Sequence, residues 1–92
     1  MIRSFGDRNT EGLFEGRRVR AFESFGAQAT RRLAYLDNAE NLGDLSALHS
    51  NRLESLSGDR AGQYSIRINR QWRICFRWRE DGPCDVEIVD YH

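Results

Sequence analysis

The stretch from Gly58 to Trp78 limits the fold more than any other part of this chain. Large apolar residues recur in it at two-residue intervals, interrupted only by a corner at residues 69–71. They are Ile66, Ile68, Trp72, Ile74, Phe76 and Trp78. A period of two is typical of a strand with one buried face, so the pattern predicts an antiparallel hairpin whose apolar side chains form the core face.

Three arginines alternate with these apolar residues. Arg67, Arg73 and Arg77 are therefore predicted to project together from the opposite face of the sheet. A three-residue loop at the corner places Arg67 directly opposite Arg73, an arrangement that destabilises a strand pair unless an anion lies between the two charges. The guanidinium fork suits phosphate oxygens, so the pattern indicates either a phosphate-binding face or a solvated face with salt bridges.

Length and charge restrict the remaining possibilities. A chain of 92 residues predicts one domain, 1–92, with a single sheet and one layer of helices. A formal charge of zero argues against a general nucleic-acid coating protein, but residues 51–79 hold seven arginines and two acids. No apolar run is long enough to cross a bilayer and no secretion signal occurs, which predicts a cytoplasmic protein without membrane contact.

The last strand is predicted to begin at Cys84 and to end at Tyr91. A three-residue loop at 80–82, with Gly82 in the left-handed position, sets its register on the preceding strand. The predicted pairs are Arg79 with Pro83, Trp78 with Cys84, Arg77 with Asp85, Phe76 with Val86, Cys75 with Glu87, Ile74 with Ile88 and Arg73 with Val89.

This register also predicts the state of the two cysteines. Cys75 and Cys84 are three or four residues out of step, roughly 10 Å or more along a strand, which is too far for a disulfide. Two cysteines without clustered histidines predict no zinc site, and no cofactor-binding motif occurs.

The remaining elements precede the hairpin. They are a first strand at 1–5, a short helix capped by Asp7 or Asn9 and stopped at Gly16, an amphipathic helix from Ala21 to about Ala39, a turn or short helix at 42–48, and a strand at 52–56. The apolar side of the long helix is predicted to cover the core face and to leave the arginine face uncovered. The predicted class is α+β, a small antiparallel sheet with two N-terminal helices packed on one face.

Several polar residues outside the hairpin are candidates for a site. If Leu53 points inward, Arg52 and Glu54 point toward the arginines, where Glu54 either takes part in chemistry or forms a plain ion pair with Arg52 or Arg73. The basic cluster at 17–20 indicates an RNA contact, a partner contact or a solvated helix entry. His49 lies in a polar loop, and no chemistry is predicted for it.

The chain ends on an acid, a phenol and an imidazole, Asp90, Tyr91 and His92. In the predicted register Arg73 is one diagonal step from Tyr91, so the three terminal residues are expected beside the arginine face.

In combination these residues resemble the HigB-type toxins of the RelE superfamily, small bacterial toxins of toxin-antitoxin pairs. The resemblance rests on Met1-Ile2-Arg3-Ser4-Phe5, Gly58-Asp59-Arg60-x-Gly62-x-x-Ser65-Ile66, Asn69-x-x-Trp72-Arg73-Ile74-x-Phe76 and Asp90-Tyr91-His92. The family's fold is a small antiparallel sheet with two N-terminal helices on one face and the active surface on the other.

The resemblance implies an endoribonuclease that cuts messenger RNA in the ribosomal decoding site and is neutralised by a helix-turn-helix antitoxin. Contact with operator DNA is implied only through the antitoxin. Arg73, Asp90, Tyr91 and His92 match the family's active-site pattern. Related members often have histidine where Glu54 stands and lysine where Ser57 stands, so a mild toxin or a rearranged site is expected.

RNA cleavage through the substrate's own 2′-hydroxyl needs a base, a cation for the charge on the phosphorane, and an acid for the leaving oxygen, and it needs no metal. The candidates are Arg73 as charge stabiliser, Arg52, Arg67 and Arg77 as RNA phosphate contacts, Glu54 or Asp90 as base, and His92 or Tyr91 as acid. An unperturbed imidazole titrates near pH 6.5, the most useful range, and Tyr91 is alternatively a stacking platform for a base.

Two other functions fit the same sequence. ParE-type members of the superfamily share the shape, act on DNA gyrase and need no acid-base residues. A weakened toxin that serves mainly as corepressor with its antitoxin is the other alternative, suggested by the replacement at Glu54.

Overall fold

The computed structural model of the chain describes residues 1–80 and 82–90. Within them lie three α-helices, α1 (Arg8–Phe14), α2 (Gly26–Asn38) and α3 (Leu42–Ala47), and four strands, β1 (Glu54–Ser55), β2 (Tyr64–Arg67), β3 (Trp72–Arg79) and β4 (Gly82–Asp90). Short 3-10 helices occupy Arg20–Phe25, His49–Asn51 and Gly58–Arg60. The strands form one antiparallel sheet in the order β1-β2-β3-β4, so the predicted α+β class is confirmed.

Helix α1 is short because Asp7 caps its first turn and Gly16 stops it soon after its last residue. The Asp7 carboxylate accepts from the Thr10 backbone N–H at 2.8 Å, as predicted for an N-cap. Gly16, two residues beyond the end of the helix, has φ +89, a conformation that favours glycine. The buried Thr10 hydroxyl accepts from the backbone N–H of Ile88 at 2.9 Å, which fixes α1 against β4.

The predicted long helix is present over the expected residues, but its first part is a 3-10 helix. Phe22 and Phe25 lie one 3-10 turn apart, and a turn of three residues brings both rings to the same side. Both contact Trp72, Phe25 in a stacked pair with centroids 4.8 Å apart and Phe22 edge-on at 5.9 Å. Both rings therefore pack on one tryptophan just before α2 begins.

The core lies between the helices and one face of the sheet. Its buried members from the helical region are Phe22, Phe25, Ala29, Leu33, Leu36, Ala39 and Leu45, and those from the sheet region are Ile66, Ile68, Ile74, Phe76, Val86 and Ile88. The two predicted periodicities, helical for α2 and alternating for the hairpin, therefore meet face to face. No helix within residues 1–80 and 82–90 combines the length and hydrophobicity needed to span a bilayer.

The hairpin of β2 and β3 has the predicted register. Ile66 pairs with Ile74, and Arg67 pairs with Arg73. The Asn69 side-chain oxygen accepts from the backbone N–H groups of Gln71 and Trp72, both at 2.9 Å, which closes the corner.

The pairing of β3 with β4 is correct at one end and wrong at the other. Arg73, Ile74 and Cys75 pair with Val89, Ile88 and Glu87 as predicted, whereas Arg77, Trp78 and Arg79 pair with Cys84, Pro83 and Gly82 instead of Asp85, Cys84 and Pro83. A β-bulge between Cys75 and Arg77 absorbs the difference of one residue. Asp85 adopts φ 53 in this irregular stretch, and aspartate tolerates the left-handed region better than most residues.

Gly82 has a different role from the predicted one. It opens β4, and a Cβ atom there would lie 2.6 Å from the carbonyl oxygen of Met1. The predicted first strand is an extended segment along the β4 edge, with one parallel bridge from Phe5 to Val86 and a hydrogen bond from the Arg3 N–H to the Pro83 carbonyl at 2.8 Å. Close approach of this segment explains the glycine. Cys75 and Cys84 are free thiols, as predicted.

Candidate functional site

Arg73 is the centre of the polar network on the sheet face opposite α2. Its residue exposure is only 7%, and its guanidinium is held by backbone and side-chain oxygens. Nε donates to the Ser65 hydroxyl at 2.7 Å, and Nη2 donates to the Arg52 carbonyl at 2.6 Å. A charge fixed in this way needs no reorganisation when an anion approaches.

The Arg52 carbonyl reaches Arg73 because the chain turns sharply at that residue. Arg52 has φ 45, in the left-handed region, and follows the 3-10 helix His49–Asn51. The predicted strand at 52–56 is therefore wrong in extent, since β1 contains only two residues. The turn leaves the Arg52 side chain exposed and turns its carbonyl toward the sheet.

Glu54 lies beside Arg73, as the sequence predicted. It pairs with Ser65 across β1 and β2, and its Oε1 is 3.4 Å from Arg73 Nη2. The side chain of Glu54 is 52% exposed whereas that of Arg73 is 9% exposed. One carboxylate thus contacts a buried cation on one side and solvent on the other, so a ligand can reach the carboxylate directly.

A groove of about 660 Å³ is lined by neighbours of this pair, Leu53 next to Glu54 in the chain and Arg67 across from Arg73, and we call it the arginine groove. It is lined by Arg32, Ser46, His49, Ser50, Arg52, Leu53, Arg67 and Ile68. No carboxylate is among these lining residues. Within residues 1–80 and 82–90, no salt bridge involves Arg32, Arg52 or Arg67. The groove is therefore a local concentration of positive charge in a chain of zero formal charge.

One wall of the arginine groove is held by Arg32 of α2. Its Nη1 donates to the Ser50 hydroxyl at 3.1 Å and to the Asn51 side-chain oxygen at 2.8 Å. Asn51 is fully buried and donates in turn to the Leu45 carbonyl. The guanidinium also lies 5.5 Å from the ring centroid of Tyr35, so Arg32 ties α2 to the segment after α3.

Arg77 is separated from the arginine groove. It lies four residues along β3 from Arg73, about 13 Å at the rise of a strand. Its Nε is 3.9 Å from the Asp85 carboxylate, and its Nη1 approaches Gly62. The predicted charge pair of Arg77 with Asp85 is present, although the bulge makes Cys84 rather than Asp85 the backbone partner of Arg77.

The arginine face is also less open than predicted. Arg60, from the 3-10 helix Gly58–Arg60, donates to Glu87 at 2.8 Å and to Gln63 at 3.0 Å. Glu87 is the cross-strand partner of Cys75, which has no exposed surface. Burial raises the pKa of the Cys75 thiol, and the nearby Glu87 carboxylate acts in the same direction against the lowering effect of Arg60 and Arg73.

The expected position of Asp90 beside the arginines is wrong. Asp90 pairs with Trp72, and directly paired residues project from the same side of a sheet, so its side chain lies on the Trp72 side and not with Arg73. Gln71 Nε2 donates to its carboxylate at 2.9 Å. Tyr91 and His92, the other two terminal candidates, lie outside the described residues.

Sequence reasoning missed two contributors to the site, Arg32 and His49. Neither belongs to the alternating hairpin pattern, and each lies on a different helical segment. The only signal in the sequence was the polar run around His49, and that run does not indicate which residues His49 packs against. In the basic cluster at 17–20, Arg17 and Arg18 form exposed salt bridges with Glu15 and Glu23.

Comparison with known proteins agrees with this architecture. A family model described as the RelE-like toxin of type II toxin-antitoxin system HigB matches residues 3–92. The fold is similar to that in a structure of the YoeB dimer from Staphylococcus aureus, with a TM-score of 0.58 and 18% identity over 99% of this chain and 94% of that one.

Two relatives are similar in sequence. The chain is 30% identical over 93 positions to Endoribonuclease HigB of Proteus vulgaris, covering 100% of both proteins. It is 40% identical over 62 residues to Toxin HigB-1 of Vibrio cholerae serotype O1, covering 67% of this chain and 64% of that relative, so it spans just under two thirds of that protein's length. The match to the family model over nearly all of the sequence shows that this chain belongs to the RelE-like HigB toxins of type II toxin-antitoxin systems.

Proposed function

We propose that this toxin is an endoribonuclease that cleaves messenger RNA on the ribosome and thereby inhibits translation. The observation that carries the proposal is the ion pair of the half-exposed Glu54 with the buried Arg73, 3.4 Å apart. Arg67, the cross-strand partner of Arg73, lines a groove of arginines without acidic partners among the described residues. A carboxylate, a fixed cation and an anion-binding surface are the parts that RNA cleavage requires.

The proposed reaction uses the 2′-hydroxyl of the substrate. Its oxygen bonds to the adjacent phosphorus, the bond from phosphorus to the 5′-oxygen breaks, and the products are a 2′,3′-cyclic phosphate and a 5′-hydroxyl end. Arg73 stabilises the additional negative charge that develops on the phosphorane oxygens. Because its guanidinium is held by Ser65 and Arg52, it is positioned before the substrate arrives.

Glu54 is the proposed base that takes the proton of the 2′-hydroxyl. Its carboxylate is half exposed and contacts Arg73, whereas Asp90, the other candidate base, pairs with Trp72 and accepts from Gln71. The proposed acid that protonates the leaving 5′-oxygen is His92 or Tyr91. An imidazole is the side chain whose ordinary pKa is nearest to neutrality.

Arg52 and Arg67 are the proposed contacts to RNA phosphates, since both line the arginine groove. We leave Arg77 out of this group because Asp85 lies beside its guanidinium. A helix-turn-helix antitoxin is the proposed neutralising partner, with operator DNA contacted only through it. Ribosome dependence places the proposed activity in the cytoplasm.

The test is a purified translation reaction programmed with a defined messenger RNA, followed by mapping of new 5′ ends and assay for 2′,3′-cyclic phosphate termini. The proposal expects cleavage within the message only when ribosomes are present. Arg73→Lys and a chain lacking Tyr91 and His92 are both expected to lose activity, and Arg70→Gln, at the exposed hairpin corner, is the matched control.

Full cleavage by Arg73→Lys would contradict the role of Arg73 as charge stabiliser. Full cleavage by the chain lacking Tyr91 and His92 would contradict the role of either residue as the acid. Intact messenger RNA together with inhibition of gyrase supercoiling would replace the proposal with the gyrase-directed function. Growth that continues after expression of the toxin alone, with repression of its operon only when the antitoxin is present, would indicate a corepressor.

A further inference from the structure

The arginine groove extends from the sheet into the helical layer. Arg52, Leu53 and Arg67 belong to the sheet side, whereas Arg32 comes from α2 and His49 from the segment after α3. Arg67 is the direct cross-strand partner of Arg73, so one lining residue of the groove neighbours the proposed cleavage site. An RNA strand held at Arg73 would therefore have a second positive surface nearby, to which α2 contributes Arg32.

The three guanidinium groups of the groove have unused donors. Arg32 uses Nη1 for Ser50 and Asn51, and among the described residues its Nε and Nη2 have no hydrogen-bond partner. Arg67 uses Nε for the Asn69 carbonyl at 3.2 Å, and no described residue accepts from its Nη1 or Nη2. Free guanidinium edges of this kind bind phosphate oxygens in pairs.

The absence of a carboxylate from the lining residues makes the groove electrostatically unbalanced. Three like charges converge on it with no acidic lining residue to offset them, and an anion bound there would reduce their mutual repulsion. Arg32 is the most rigid of the three because it is hydrogen-bonded to the buried Asn51 and lies over Tyr35. Little side-chain entropy is lost when an already fixed arginine binds its ligand.

The lining favours a phosphate polymer over a single small anion. Ser46, Ser50 and His49 add hydrogen-bonding side chains to the arginines, and Leu53 and Ile68 add apolar surface. A nucleotide combines the matching groups, since it has a charged phosphate, hydroxyls on the ribose and the flat face of a base. A strand that extends beyond the scissile phosphate presents such units in sequence.

We propose that the arginine groove binds the phosphates of RNA nucleotides next to the scissile one, with Arg32, His49, Arg52 and Arg67 as donors. This inference rests on the proposed ribonuclease function and adds a second contact region, contributed by the helical layer, to the cleavage site on the sheet. The contacts are to the backbone, so the groove increases affinity for RNA without selecting a base sequence.

The test measures binding of a fluorescent 2′-O-methyl RNA octamer, which cannot be cleaved through its 2′-oxygen, by anisotropy at several salt concentrations. Arg32→Gln, His49→Gln and Arg67→Gln are compared with Arg31→Gln on the exposed side of α2 and with Arg70→Gln. Each arginine variant of the groove is expected to bind on the order of tenfold more weakly. Its salt slope is expected to fall by about 0.7. His49→Gln is expected to weaken binding, and both controls to remain within about twofold.

Arg32→Gln also removes contacts to Ser50 and Asn51, so its unfolding midpoint is measured, and Arg67→Gln tests the groove without that complication. The inference is overturned if the wild type does not bind the octamer or if Arg67→Gln binds like the controls. It is also overturned if an aspartate octapeptide binds as tightly with the same dependence on the groove residues, because the site would then suit an acidic peptide.

The same experiment separates this inference from the proposed function. Cleavage on ribosomes by a wild type whose RNA binding is insensitive to the groove variants would reject the groove and retain the ribonuclease. A wild type that does not cleave, but binds the octamer through Arg32 and Arg67, would reject the ribonuclease and retain the groove.

Discussion

Arg67 and Arg73 are directly paired across β2 and β3, yet their guanidinium groups have different surroundings. Arg73 is 7% exposed and donates to Ser65 and to the Arg52 carbonyl. Arg67 is half-buried and lines the arginine groove. Glu54 and the surrounding oxygen acceptors compensate the charge of Arg73, which reduces the repulsion between the two guanidinium groups. Arg67 has no such carboxylate among the described residues, so it remains available to an anion.

Arg73→Ala is expected to lower the free energy of unfolding by about 2–4 kcal/mol. The change leaves the buried Ser65 hydroxyl and the Arg52 carbonyl without their donor. Urea denaturation followed by tryptophan fluorescence measures the loss. Arg70→Ala, an exposed residue of the hairpin corner, is the control and is expected to change stability by less than about 0.5 kcal/mol. Equal effects of the two variants would contradict the structural role of Arg73.

Glu54→Gln is expected to separate chemistry from stability. The side chain is half exposed, so loss of its ion pair should cost less than about 1 kcal/mol. Loss of a general base should lower the cleavage rate by about 10² to 10⁴. Glu54→His, which introduces the residue often found in related toxins, is expected to retain or increase activity. A larger rate loss in Asp90→Asn than in Glu54→Gln would assign the base to Asp90.

Two glycine substitutions are expected to have opposite effects. Gly62 has φ +90, and a Cβ there would lie 2.8 Å from Arg77 Nη1, so Gly62→Ala should destabilise the protein by about 1 kcal/mol or more. Gly26 opens α2 with an ordinary helical φ of −55 and open space around it. Gly26→Ala should stabilise the protein by up to about 1 kcal/mol. Thermal unfolding of both variants measures the difference, and a stabilising Gly62→Ala would contradict the described turn.

The two cysteines are expected to differ in alkylation rate. Burial raises the pKa of the Cys75 thiol, which lowers its thiolate fraction, and the side chain has no exposed surface. Cys84 is partly exposed. Iodoacetamide followed by mass spectrometry should modify Cys84 in the native protein and Cys75 only after unfolding. Modification of both at equal rates would contradict the burial of Cys75.

The raised pKa of Cys75 also predicts a dependence of stability on pH. The folded state holds the thiol proton more tightly than the unfolded chain, so the unfolded chain loses it first above about pH 9. The contribution of the Cys75 thiol to the free energy of unfolding is fully present below the pKa that the thiol has in the unfolded chain. It is lost as pH rises through the pKa that the thiol has in the folded protein. Comparison of the wild type with Cys75→Ala between pH 8 and pH 10 should show a steeper fall for the wild type, and parallel profiles would contradict the assignment.

Much of the fold could be predicted because local periodicity and the helix cap are sequence properties. The alternation from Ile66 to Trp78 determined which side chains face the core, and the corner at Asn69 determined that Arg67 opposes Arg73. The register failed only beyond Cys75, where a single extra residue is accommodated at Asp85. A bulge of this kind changes the register by one residue without changing the hydrophobic pattern enough to be detected in advance.

The sequence by itself determined the α+β class, the core face of the sheet and the proximity of Glu54 to Arg73. Only the tertiary structure decided that Arg32 and His49 join Arg52 and Arg67 around one groove, that a bulge makes Cys84 the backbone partner of Arg77, and that Asp90 projects with Trp72. The physical reason is the distance along the chain over which each effect acts. Alternation and capping depend on residues a few positions apart, whereas the groove depends on how α2 and the segment after α3 pack against the edge of the sheet.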